Sequence, residues 1–202
     1  MNRRQTLLQF NSGCWHGCFV RLDGAGREQQ RFPTSLEVRD AAGLIQATLT
    51  YGHTGRSQSM NFLEPPGTMQ LSELGHWSLG PAYVGPMPWV SELCVVSGDQ
   101  RRRLIARHSS NSIDTIVYVR ESRQADGVAP AAEPLPVSIT ARGELQIWQL
   151  DDEVELLVDP RTRPWDQGSV SGMRWHHPSR GVLQVVRRYG PGGALSPLDP
   201  SW

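Results

Sequence analysis

Asn11-Ser12-Gly13-Cys14-Trp15-His16-Gly17-Cys18-Phe19-Val20-Arg21-Leu22 is the stretch on which the fold turns. It carries a glycine two residues ahead of a tryptophan and runs on as an extended, β-prone segment. It stops at Asp23-Gly24-Ala25-Gly26, a turn-forming cluster. Just before it, residues 4–10 hold the best short helical pattern in the chain. A strand that opens on Gly13 lets the chain turn in tightly.

Working outward, eight more strand-like runs follow, at 34–39, 44–51, 58–63, 69–71, 76–79, 89–96, 102–108 and 114–121. Short strands with tight turns predict an antiparallel barrel or sandwich rather than a parallel α/β sheet. Residues 125–136 break the rhythm with small residues and prolines, and read as a linker or long loop. Further strand patterns occupy 137–141, 145–150, 154–158, 172–176 and 182–189. The expected organisation is therefore a β-barrel over 1–124, a linker over 125–136, and added strands over 137–202. The added strands extend the barrel or form a partial second β-unit.

A hairpin centred on Gly98-Asp99 pairs Leu93 with Leu104 and Glu92 with Ile105. A second turn at 109–112 puts Ala106 near Val117 and Leu104 near Val119. One face then carries Leu93, Val95, Leu104, Ala106, Val117 and Val119. The other carries Glu92, Cys94, Arg103, Ile105, Arg107, Ile116, Tyr118 and Arg120. A slip of one residue would exchange the faces.

Gly13-Cys14-Trp15 resembles the Gly-x-Trp pattern of lipocalins and related calycins. In that family the tryptophan packs across the closed end of the barrel. An arginine of the last barrel strand packs over it, and Arg120 is the matching candidate. The stretch 11–22, with Glu92-Leu93-Cys94-Val95-Val96, Arg101-Arg102-Arg103-Leu104-Ile105 and Val119-Arg120-Glu121, resembles an uncharacterised cyanobacterial calycin family. That family is similar in fold to the bilin lyases of phycobiliproteins. The resemblance covers roughly residues 5–124. It implies an all-β, lipocalin-like up-and-down barrel with additional C-terminal strands. It further implies a small hydrophobic ligand, with a bilin as the candidate. The alternatives are a chromophore lyase or chaperone serving a phycobiliprotein acceptor, and a structural barrel with no ligand.

On this reading Glu92, Arg103 and Arg107 form a charged patch that grips ligand carboxylates, since paired arginines suit them. Tyr118 and Trp89 line the same cavity. Trp77, Tyr83, Met87 and Trp89 surround the proline-rich loop at 80–88 and offer flat surfaces. The competing reading makes the charged face the solvent face, with a weak cross-strand ion pair.

Composition narrows the function classes. The 202 residues carry no net charge, which argues against nucleic acid as a partner. All 20 basic residues are arginine, so no lysine nucleophile or Schiff base exists. Three cysteines form no recognisable framework, and suggest a reducing, cytoplasmic setting. No apolar run approaches a membrane span, and the N-terminus does not read as a signal peptide. Cys14, His16 and Cys18 alternate along one strand face and cannot readily surround one metal ion. No catalytic motif emerges: Val170 stands where a nucleophile elbow needs serine, and Gly24-Ala25-Gly26 lacks the rest of a dinucleotide loop.

Overall fold

Helix α1 (Arg3–Asn11) starts on a reciprocal cap in which Asn2 and Gln5 bond each other's backbone. Fourteen strands follow it among the described residues. In this computed structural model residues 2–109, 112–126, 132–161, 167–199 and 201–202 are described. Part of the expected linker, residues 127–131, lies outside the described residues.

Nine strands form the first sheet. They are β1 (Gly13–Asp23), β2 (Glu28–Ala41), β3 (Leu44–Tyr51), β4 (Ser57–Phe62), β5 (Gln70–Leu71), β6 (Trp77–Leu79), β7 (Trp89–Ser97), β8 (Gln100–His108) and β9 (Ile113–Ser122). Their order is β4-β3-β2-β1-β9-β8-β7-β6-β5, all antiparallel. This is a cyclic meander with one pairing missing, between β4 and β5. The sheet is therefore a curled half-barrel. Its opposite walls meet in one core, where Leu36, Val38 and Ala47 join Trp77, Cys94 and Val96. The helix holds the unpaired seam: Arg3 donates to the carbonyls of Pro66 and Met69, and Arg4 to that of Leu63. Strand β2 begins earlier than its sequence pattern suggests. Residues 28–33 pair with β1 alone, so Pro33 sits on an edge where a missing N–H is tolerated.

The second sheet holds β10 (Ser138–Arg142), β11 (Leu145–Gln149), β12 (Val154–Val158), β13 (Ser169–His177) and β14 (Gly181–Tyr189), in sequence order. It packs on the outer face of the half-barrel. Val20, Leu93, Leu104, Ile116 and Tyr118 share one core with Trp148, Leu156, Met173 and Trp175. Buried ion pairs cross this junction, such as Arg102 to Glu153 at 2.9 Å.

The hairpin at Gly98 has the expected register, with Leu93 opposite Leu104 and Glu92 opposite Ile105. The next hairpin corrects the expectation. A bulge between Arg107 and His108 shifts the pairing, so Ala106 faces Ile116 and Leu104 faces Tyr118. A one-residue shift turns every β9 side chain over. Val117 and Val119 thus share the face of Glu92, Arg103 and Ile105. Ile116, Tyr118 and Arg120 share the face of Leu93 and Leu104, against the second sheet.

His108 and His76 are buried, and burial lowers both to a pKa of about 4. Both therefore favour the neutral form in the folded state. Their contribution is complete above the unfolded value near 6.5, and falls away as pH drops towards 4. Each accounts for up to about 3 kcal/mol, at 1.4 kcal/mol per unit. His108 stacks on Trp89 at 3.8 Å, and its Nε2 has no partner among the described residues. His108→Phe keeps the stack and removes the titration. Urea midpoints between pH 7.5 and 5 should fall less steeply in this variant than in the wild type.

Candidate functional site

The concave face of the half-barrel encloses a cavity of about 270 Å³. Its floor is Leu7 and Asn11 of α1. Its walls are Leu36 and Val38 of β2, Ala47 and Leu49 of β3, Met60 and Phe62 of β4, and Trp77 and Leu79 of β6. Alternation along each strand puts these apolar side chains inward. The far wall is charged, from Glu92, Arg101 and Arg103.

That wall is one network. Arg101 Nε donates to Glu121 Oε2 at 2.7 Å. Arg103 Nε and Nη2 donate to the two Glu121 oxygens at 2.8 and 3.0 Å. Arg103 Nη1 reaches Glu92 Oε1 at 2.7 Å. Glu121 fits because it lies over Gly17, where a Cβ would come within 2.6 Å of its Cγ. Burial opposes the charge on Glu121, but Arg101 and Arg103 outweigh it and lower its pKa. Burial likewise opposes the charge on Arg103, and Glu121 and Glu92 overcome it. Arg101 is 1% exposed, and its Nη2 has no hydrogen-bond partner among the described residues. A buried donor without a partner costs free energy unless a bound group supplies an acceptor.

Asn11 fixes the floor. Its side-chain carbonyl accepts from Trp77 Nε1 at 3.1 Å, and its backbone carbonyl accepts from Trp15 Nε1 at 2.9 Å. Trp15 is fully buried, with Arg101 4.2 Å and Arg123 4.4 Å from its ring. Towards the opposite ends of β2 and β3, Phe19, Phe32, Tyr51 and His53 form an aromatic cluster, with centroids 4.3 to 6.4 Å apart. Phe19 also lines the cavity, while Phe32, Tyr51 and His53 of the same cluster line a separate open trough of about 460 Å³ with Arg56.

Of the residues expected to bind ligand, Trp77, Glu92 and Arg103 line this cavity. Four others do not. Tyr118 faces the second sheet and donates to Asp151 at 2.7 Å, because the bulge reversed β9. Trp89 lies on the outer face against His108 and Tyr189. The Arg107 side chain is 63% exposed, beside Asp114 near the end of its strand. Tyr83 is 66% exposed and bridges to Ala194. Gly13 opens β1 with a φ of +111° that favours glycine, and Trp15 is buried two residues on. Arg120 is not the arginine over Trp15. It turns outward to Asp151 and Glu153, and Arg123 with Arg101 takes the ring. Arg101, Glu121 and Asn11 were missed. The signal for Arg101 was its spacing, two residues from Arg103 on the same strand.

Residues 2–126 match the family described as "Domain of unknown function (DUF3598), N-terminal". The chain belongs to the DUF3598 family. A solved structure from that family, a protein of unknown function from the cyanobacterium Nostoc punctiforme PCC 73102, superimposes with a TM-score of 0.81. It is 17% identical, and the match covers 96% of each chain. That likeness extends the shared DUF3598 fold across both sheets. No curated protein matches. No helix among the described residues is long and apolar enough to cross a membrane.

Proposed function

We propose that this DUF3598 protein binds a small, largely apolar molecule on the concave face of its half-barrel, as calycins do. The carrying observation is the apolar cavity that ends on a wall of charged side chains, Glu92, Arg101 and Arg103. The cyclic strand order, and Trp15 held under Arg123 at the barrel end, support the calycin comparison. A barrel packed solid by its own side chains would leave no such space. At about 270 Å³ the cavity lies just below the usual range of small-ligand pockets, about 300–1,000 Å³. A ligand that fills it and crosses the aromatic cluster from Phe19 to the trough suits both. A linear tetrapyrrole is the narrower candidate, because the trough offers flat rings to a flat ligand.

The test uses two probes, a purified bilin and an apolar fluorescent dye, titrated into the full chain. Saturable binding is expected for the dye, and for the bilin as an absorbance shift. Leu49→Trp, which fills the cavity from β3, should weaken both at least tenfold without changing the circular dichroism spectrum. Absence of saturable binding by either probe would overturn the proposal. Dye binding without bilin binding would remove only the tetrapyrrole.

A further inference from the structure

We infer that the end of the ligand that meets the charged wall is uncharged and donates a hydrogen bond, as a hydroxyl, amide or lactam does. This rests on the binding role proposed above. It departs from the carboxylate that the sequence pattern suggests.

The argument is one of charge balance. Arg101 and Arg103 are matched by Glu92 and Glu121 within a single network. The other cavity-lining residues carry no ionisable charge. The wall is thus neutral as a whole. A carboxylate placed there would add a buried negative charge with no surplus cation, close to Glu92. Burying an uncompensated charge is far more costly than burying a hydrogen-bonded neutral group.

A neutral head with a donor meets a partner. Glu92 Oε1 is taken by Arg103, while Glu92 Oε2 has no side-chain partner among the described residues and is left as an acceptor. A ligand that lacks the donor displaces water from Glu92 without replacing its hydrogen bond. A linear tetrapyrrole would meet the wall with a terminal lactam and keep its propionates outside.

The experiment competes matched ten-carbon ligands against the fluorescent dye at pH 7.5. Decanamide and methyl decanoate are both neutral, but only the amide donates. A purely apolar pocket prefers the ester. The wall described here should bind the amide at least fivefold more tightly. Decanoate should bind at least tenfold more weakly than decanamide. Glu92→Gln then leaves one surplus positive charge, and should improve decanoate binding at least tenfold with little change for methyl decanoate. If the ester beats the amide, or decanoate equals the amide in the wild-type protein, the inference falls while binding itself stands. An unchanged decanoate affinity in a folded Glu92→Gln protein also overturns it. Failure of the dye and every ligand to bind would instead remove the binding role.

Discussion

Trp15→Ala should destabilise the fold by about 4 kcal/mol, the scale of removing a large aromatic side chain from a core. The Trp15 side chain is fully buried where α1, β1 and β8 meet. Two guanidinium groups cover its ring, at 4.2 and 4.4 Å. A desolvated cation over an aromatic face adds about 2 kcal/mol or more. The indole N–H also donates to the Asn11 carbonyl, which ends the helix. Alanine removes the ring from between Arg101 and Arg123 and leaves that carbonyl unpaired. Domain stabilities run from about 5 to 15 kcal/mol, so the loss takes much of the total. Urea unfolding of the full chain at pH 7.5 measures it. Trp15→Phe keeps a ring for both arginines and loses only the N–H, so it should cost about 1–2 kcal/mol. A cost below about 1 kcal/mol for alanine would mean that Trp15 does not hold the barrel end.

Local patterns were legible where a single strand or a tight turn decides the answer. Gly98-Asp99 defines one hairpin, and the register on both sides of it follows. The end-of-sheet position of Trp15 comes from the resemblance of Gly13-Cys14-Trp15 to the calycin pattern, not from the spacing itself. The sequence is silent where structure depends on irregularity or on distant chain. Nothing in Ser109-Ser110-Asn111-Ser112 announces a bulge at Arg107 and His108, yet that bulge reverses β9 and sends Tyr118 and Arg120 outward. The apolar opposite face, Leu93 and Leu104, suggested that Glu92 and Arg103 look to solvent. Instead both faces are covered, one by the second sheet and one by the curl of the first. A strand buried on both sides loses the contrast by which sequence distinguishes inside from outside. Three consecutive arginines carry no sign of which face each one takes. The pleat sends Arg102 to Glu153 and its two neighbours to Glu121.

Glu121 carries the second large effect, and it separates stability from function. Its carboxylate is 1% exposed and compensates both Arg101 and Arg103. Glu121→Ala leaves two buried guanidinium groups with one carboxylate, Glu92, between them. Removing one partner of a buried ion pair costs about 3–5 kcal/mol, and the alanine protein should lose at least that much in urea unfolding. Replacing Arg101, Arg103 and Glu121 together, which leaves only the partly exposed Glu92, is a different matter. Ion triads exchanged for apolar residues of similar volume are often neutral or stabilising by about 1–4 kcal/mol. Arg101→Met, Glu121→Leu and Arg103→Met combined should therefore be as stable as the wild type or more so. Methionine sulfur also keeps a favourable contact with the Trp15 ring. Folding alone would then not require the charged wall. If the wall exists to receive a polar ligand end, the triple variant should retain the apolar dye and lose its preference for decanamide over methyl decanoate. A triple variant several kcal/mol less stable than the wild type would instead make the network a structural requirement of this half-barrel.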